Sequence, residues 1–282
     1  MWDALLMIIS LDSTVALHGN VDIPLLGFGT FKIKDGRDIE QAVATALDLG
    51  YRHIDTAMLY RNEGGIGRAI TASGINRSEI SVTSKVWNSD QGYESTIAAI
   101  NASLERLGMD YVDLYLVHWP KPEHTADTWR AMEEIQVSGK ARAIGVSNFL
   151  THHLDQLLEH AAVAPSINQI EFHPHLQSPE LVDYCHMQGI VIEAWRPLKN
   201  GQIVDDPELL AIADAHGVTV PQVVLRWMLQ RGVVTIPKSA TPSRIAENAD
   251  LYGFELTADE MAGLNDMDRD DRVGDHPDHI EF

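Results

Sequence analysis

The sequence predicts an α/β chain closed into a (β/α)8 barrel, preceded by a β-hairpin and followed by an irregular tail. Three observations carry that prediction. Eight short β-rich runs alternate with segments whose apolar residues recur on a 3.6-residue period. Polar residues at the ends of successive runs stand 30, 33 and 29 residues apart, close to one βα unit of roughly 30 residues. No linker, low-complexity segment or shift in composition marks a boundary, so residues 1–282 read as one domain. Eight parallel strands close naturally into a barrel, with an open doubly wound sheet as the structural rival.

Taken in order, the first ten residues, MWDALLMIIS, are apolar but too short to span a bilayer. They carry Asp3 where a signal peptide has basic residues, so residues 1–12 read as a docked or frayed extension. VALHGNVDIP then has two extended arms around His18, Gly19 and Asn20, a hairpin signal. The eight runs follow as LLGFG, YRHID, ISVTSK, VDLYLVH, ARAIGVSN, SINQIEF, IVIEAW and VVTIPKS. Helical segments between them include DIEQAVATALDLG, ESTIAAINASLERLG and PSRIAENADLYG. Asp35 or Asp38 is expected to cap the first, and Gly50 and Gly108 fall where helix C-caps belong. NEGGIGRAI lacks the GxGxxG spacing of a dinucleotide fingerprint and reads as a loop and helix start. In the tail, DMDRDDRVGDHPDHIEF, the acids read as solvated surface.

Composition narrows the function. The net charge is −20, which disfavours nucleic acid or an anionic membrane as partner. Charges beyond about 8 Å are screened at physiological salt, so local residues decide what a site binds. The one cysteine, Cys185, excludes an internal disulfide and suits a reducing cytoplasm, and LVDYCHMQG reads as a helix end with an inert buried thiol.

Strand ends carry the chemistry. Asp55 ends the second run, Lys85 the third, His118 the fourth and Ser147-Asn148 the fifth. Gln169 lies within the sixth, Trp195 ends the seventh and Lys238-Ser239 the eighth. In a closed barrel these positions meet at one rim. Singly, each has a plain alternative: a snorkelling lysine, a hydrogen-bonded core histidine, a capping aspartate, a packed tyrosine. Together with Tyr60, they make a proton-donating site. A phenol ionises near pKa 10, and a neighbouring ammonium that lowered it by about three units would contribute ~4 kcal/mol. The carboxylate keeps the ammonium charged, and the histidine orients a carbonyl oxygen. Such a site reduces carbonyls once a hydride source is present.

GYRHIDTAMLYRNE, SKVW, DYVDLYLVHWP, IGVSNF, INQIEFHP, EAWRPL and IPKSATPSRIAEN, taken in order, resemble the aldo-keto reductases. The resemblance spans about residues 13–279 and is nearest to the bacterial 2,5-diketo-D-gluconic acid reductases. It implies a TIM barrel that uses NADPH (NADP+) without a Rossmann domain, and a cytoplasmic monomer. By position it implies Tyr60 as general acid, with Lys85, Asp55 and His118 completing a tetrad. Ser147, Asn148 and Gln169 match the residues that hold the nicotinamide amide, and Trp195 matches the aromatic that stacks on its ring. Arg196, Pro197 and Leu198 follow in the cofactor-binding stretch. Lys238, Ser239, Thr241, Arg244, Glu247 and Asn248 match the adenosine-end segment. Lys238 and Arg244 offer two positive charges to a 2′-phosphate. Phe31, Trp87 and Trp119 fall where the family lines its substrate pocket. Arg196 stands where Ser or Gly is more usual, and Thr241 where several relatives carry Arg.

The expectation is an NADPH-dependent oxidoreductase acting on small aldehydes, dicarbonyls or keto-sugar acids, with no metal. One competing class is a non-catalytic, redox-sensing protein that binds a nicotinamide cofactor on the same barrel. Another is a metal-dependent barrel hydrolase, raised by His173 and His175 in FHPH. Such enzymes are expected to place that pair on the first strand, so packing is the reading for these two.

Overall fold

A computed structural model describes residues 10–19 and 21–280. Most of the 1–12 extension, and Asn20 of the expected turn, lie outside the described residues. The hairpin is present as β1 (Thr14–Leu17) and β2 (Val21–Pro24), paired antiparallel. Val21 and Ile23 face the core while Asp22 between them is exposed, the period-two pattern of a half-buried strand.

All eight runs contain strands: β3 (Phe28–Gly29), β4 (His53–Asp55), β5 (Ser81–Val86) and β6 (Val112–Val117). The rest are β7 (Ala141–Ser147), β8 (Ile167–Glu171), β9 (Val191–Trp195) and β10 (Val234–Thr235). They pair in parallel in chain order from β3 to β10. Bridges Leu26–Thr235 and Gly29–Lys238 then join the last strand to the first. Gly27 N donates to Thr235 O at 2.9 Å and Gly29 N to Pro237 O at 3.1 Å. This seam needs glycine: a Cβ on Gly29 would stand 2.7 Å from Ile236 O, and one on Gly27 2.6 Å from His53 Nδ1. The barrel is closed, and the open-sheet rival falls.

Ten α-helices are found among the described residues: α1 (Arg37–Asp48), α2 (Glu63–Ser73), α3 (Tyr93–Leu107), α4 (Thr125–Val137) and α5 (Thr151–Leu158). They continue with α6 (Pro179–Met187), α7 (Pro207–His216), α8 (Val220–Gln230), α9 (Pro242–Ala249) and α10 (Ala258–Asn265). No single helix among the described residues is long and apolar enough to cross a membrane. Gly108 caps α3 in the left-handed region, and Gly50 follows the α1 C-cap, Leu49, with φ 99°. Cys185 is fully buried inside α6, and burial pushes its thiol up to about 11.

Four local expectations are corrected. Neither Asp35 nor Asp38 caps α1. Gly36 holds that position, and Asp35 Oδ1 instead accepts from Gly65 N at 2.8 Å. The glycines of NEGGIGRAI lie inside α2 rather than in a loop before it. A Cβ on Gly67 would stand 2.0 Å from Leu107 O, so the helix needs glycine to lie against the end of α3. The α9 segment ends at Ala249, short of Gly253, because Gln222 Nε2 and Arg226 Nη1 take the carbonyls of Asp250 and Leu251. The tail is irregular, but several of its acids are engaged rather than simply solvated. Asp268 accepts from Gln177 N, Asp271 pairs with Lys199, and Asp278 Oδ1 meets His152 Nε2 at 2.9 Å and His153 Nε2 at 3.2 Å. His153 Nδ1 accepts from Leu150 N, so its Nε2 carries the proton that faces Asp278. Glu171 holds the tail from the barrel side, accepting from Val273 N at 2.8 Å and Gly274 N at 2.7 Å.

Candidate active site

Parallel register sets the site. Gly29 is paired with Asp55 and, across the seam, with Lys238; Ser147 is paired with Gln169, and Gln169 with Glu193. The strand ends therefore share one level, and a cavity of about 820 Å³ opens above them.

Asp55, Lys85, Tyr60 and His118 come together there. Lys85 is fully buried, and its Nζ donates to Asp55 Oδ2 at 2.6 Å and to the Thr56 carbonyl at 2.9 Å. It stands 5.3 Å from the Tyr60 ring centroid. Tyr60 follows β4 on a single 3-10 turn, Met58–Tyr60, and its ring meets Phe31 at 4.9 Å and His118 at 5.7 Å. His118 also packs edge-on against Trp87 at 5.1 Å.

Electrostatics here is a contest between burial and charge. Burial works against the Lys85 ammonium, but Asp55, Tyr60 and Glu193 outweigh it, and its pKa is raised. His118 is held well below the usual histidine range by burial and by Lys85, so its ring is neutral. For Tyr60 the expected lowering is not found. The ring is only half-buried, yet the packing around its hydroxyl pushes the phenol up to about 12, and Lys85 opposes this without cancelling it. Lys85 acts in the anticipated direction, but desolvation is the larger effect.

Ser147, Asn148 and Gln169 also line the cavity. Asn148 Nδ2 donates to His118 O and Ser147 Oγ, and Asn148 Oδ1 accepts from Trp195 Nε1 at 2.9 Å. Gln169 Nε2 donates downward to Asp55 Oδ2 at 2.9 Å and Glu193 Oε2 at 2.7 Å. Both amide nitrogens are spent on the protein, so these two side chains offer oxygens to the cavity. Trp195 and Trp119 meet edge-on at 6.5 Å, and Phe31 is 39% exposed at the rim.

Arg196, Pro197 and Leu198 line the next stretch. The residue before a proline is expected to be extended, but Arg196 has φ 52°. Lys199 N bonds back to Arg196 O at 2.9 Å, so the chain reverses here at once. The guanidinium lies 4.9 Å over the Trp195 ring, and its Nη1 is buried without an acceptor. Lys238, Ser239, Arg244, Glu247 and Asn248 line the far end. Thr241 does not; it occupies the N-cap position of α9, its backbone N bonded to Ser239 Oγ at 3.1 Å. His173 and His175 face separate carboxylates, Glu171 at 3.3 Å and Asp206 at 3.1 Å.

Sequence reasoning passed over three contributors. Lys32 lines the cavity, and together with burial it lowers the pKa of Lys238. Its signal was a basic residue just beyond the first barrel strand. The tail adds Gly274, Asp275 and Ile280, which nothing in its composition announced. Glu193 sits beneath Gln169, and the signal was an acid inside the apolar run IVIEAW. Its carboxyl is raised to about 8, first by burial and then by Asp55.

The sequence model of the Aldo/keto reductase family matches residues 25–269. The chain is 52% identical over 273 residues to the glyoxal reductase of Bacillus subtilis (strain 168), covering 97% of this chain and 99% of that one. The Bombyx mori aldo-keto reductase in complex with NADP superposes with a TM-score of 0.87 at 37% identity, over 94% of this chain and 95% of that one. A Gox0644 mutant in complex with NADPH gives a TM-score of 0.89 at 40% identity, over 95% and 98%.

Proposed function

The chain belongs to the aldo/keto reductase family, and from that premise we propose that it reduces small aldehydes, dicarbonyls and keto-sugar acids to alcohols, with NADPH as reductant and Tyr60 as proton donor. The observation that carries this reading is the placement of Tyr60 between a buried ammonium and a neutral imidazole on the cavity wall. A phenol with its pKa near 12 stays protonated at every physiological pH, so the acid form is always ready. An alkoxide is a stronger base than a phenolate and takes that proton as it forms. Lys85 then stabilises the phenolate left behind, and Asp55 keeps Lys85 charged. His118 donates to the carbonyl oxygen without competing as an acid. Phe31, Trp87 and Trp119 give the substrate end aromatic walls, and the name of the Bacillus relative favours a small dicarbonyl among the substrates.

The residues present fit NADPH, which when bound supplies the hydride. Gln169 and Asn148 offer oxygens to a carboxamide NH2, and Trp195 offers an indole face to a heteroaromatic ring. Lys238 and Lys32 crowd one another at the cavity edge, a repulsion that a phosphate between them relieves, and Arg244 is near. The buried, acceptor-free Nη1 of Arg196 is suited to a pyrophosphate oxygen.

The test is NADPH oxidation with a panel of glyoxal, other aldehydes, ketoses and diketo acids, in wild type and Tyr60→Phe. The variant keeps the ring contacts with Phe31 and His118 but loses the hydroxyl. Its turnover should fall by at least about a hundredfold while NADPH affinity persists. A folded Tyr60→Phe protein with wild-type turnover would sink the assignment.

A further inference from the structure

Beneath the catalytic set the barrel holds an acid that the reaction above does not use. Glu193 is fully enclosed on β9, with Gln169 of β8 and Val234 of β10 as its sheet neighbours. One nitrogen, Gln169 Nε2, bridges the carboxyl groups of Glu193 and Asp55 at 2.7 and 2.9 Å. Both its N–H bonds are thereby used, and an amide pinned through its nitrogen has its oxygen pinned too. Gln169 lines the cavity, and with both N–H bonds spent on the carboxyl groups its oxygen is the polar atom left to offer a ligand.

Charge adds a second, independent constraint. The titratable groups facing Glu193 are Asp55 and His53 from β4, Lys85 from β5, and Tyr60 from the turn after β4. Lys85 is already committed to Asp55 and to the Thr56 carbonyl. His53 Nε2 is 3.6 Å from Glu193 Oε1 but nearer to Thr83 Oγ1, at 3.1 Å, and burial keeps its ring neutral. Two carboxyl groups on one amide nitrogen share a single committed cation, and the one without a cation keeps its proton. Oε1 is buried with no hydrogen-bond partner, which costs less in a neutral carboxyl than in a carboxylate.

We propose that Glu193 is a positioning residue for the reduction: a neutral acid under the site that fixes the Gln169 amide with its oxygen toward the cofactor and spares the Lys85–Asp55 pair a second negative charge. The assignment rests on the reductase reading above. Ionising Glu193 puts a negative charge under Lys85 and Tyr60, which holds the phenol proton more tightly and weakens the donor.

Wild type, Glu193→Gln and Glu193→Leu separate this role from simple packing. Turnover would be followed from about pH 6 to pH 10, where a limb reports an ionisation in the working enzyme. NADPH affinity would be followed by quenching of tryptophan fluorescence, since Trp119 and Trp195 line the cavity. Wild-type turnover should decline on the alkaline side. Glu193→Gln, which stays neutral and still accepts from Gln169, should keep neutral-pH turnover within about threefold and lose that decline. Glu193→Leu frees the amide to flip and should weaken NADPH binding about tenfold, the weight of one or two hydrogen bonds. An alkaline limb unchanged in Glu193→Gln, or wild-type NADPH affinity in Glu193→Leu, overturns the proposal. A wild-type protein that reduces no carbonyl would remove the reductase reading, while the NADPH titrations still decide the role of Glu193.

Discussion

Replacing Lys85 by methionine keeps an unbranched side chain one atom shorter and deletes its charge. The ammonium lies 5.3 Å from the Tyr60 ring centroid. At an effective dielectric constant of about 20, unit charges at that distance attract by about 3 kcal/mol. That corresponds to roughly two pKa units on the phenol, or about a hundredfold in rate if the phenolate is fully formed in the transition state. The structure agrees on direction, because Lys85 opposes the burial that raises Tyr60. A second effect must be separated from this one. Without Lys85, Asp55 keeps only the Gln169 amide as partner, and an uncompensated buried charge costs about 3–5 kcal/mol of stability. The double variant Lys85→Met/Asp55→Asn removes both charges and should recover much of that stability without recovering turnover. Steady-state reduction of an aldehyde at saturating NADPH, with urea melts on the same samples, measures the two effects apart. Turnover of folded Lys85→Met within about threefold of wild type would refute the electrostatic argument, since the field worked out above could not then act on the proton donor.

Lys238→Ala and Arg244→Ala should each weaken NADPH binding by about 1.5–3 kcal/mol, the range for a charge-assisted contact, and leave NADH almost unchanged. Equal losses for both cofactors would move these residues away from the 2′-phosphate. Arg196→Ser should raise both dissociation constants by a similar factor, because a pyrophosphate is common to both; unchanged titrations at low salt would show that the guanidinium only packs on Trp195. Glu193→Gln should alter stability against pH. A carboxyl raised to about 8 contributes stability that is whole below the ordinary carboxylate range and lost as pH rises through about 8. The melting temperature of the variant should therefore gain on that of wild type between acid and alkaline buffer, and parallel curves would place the titration elsewhere.

The strands and the four residues proposed for catalysis are legible because barrel geometry turns a sequence interval into a spatial level. Asp55, Lys85 and His118 recur at the βα spacing, and parallel pairing then does the rest. What could not be read is whatever depends on the balance at one place. The pKa of Tyr60 rests on how densely the wall packs around its hydroxyl, and no residue list contains that density. Arg196 obeys the turn that Lys199 N closes rather than the preference imposed by Pro197. Asp35 gives up α1 for Gly65 because a loop carries it to a helix 30 positions away. Tail residues such as Gly274 are held at the cavity by two hydrogen bonds to Glu171, a contact between positions more than 100 apart.

The seam that joins Gly27 and Gly29 to Thr235 and Pro237 has a consequence for biosynthesis. A chain made from its amino end at about 5–20 residues per second presents Asp55, Tyr60, Lys85 and His118 long before β10 leaves the ribosome. Until Thr235 and Pro237 emerge, the amides of Gly27 and Gly29 lack their acceptors, and β3 is an open edge available to any passing strand. Lys238 and Arg244 follow the closing strand within ten residues. The stretch that removes the hazardous edge is thus the same one that delivers the cations proposed for the adenosine end. Ribosome-bound chains stalled before residue 230 should carry Asp55, Tyr60, Lys85 and His118 yet retain no NADPH, whereas chains stalled after residue 282 on a spacer should retain it. Cofactor supply would then act late in folding, by stabilising the barrel once its last strand has docked.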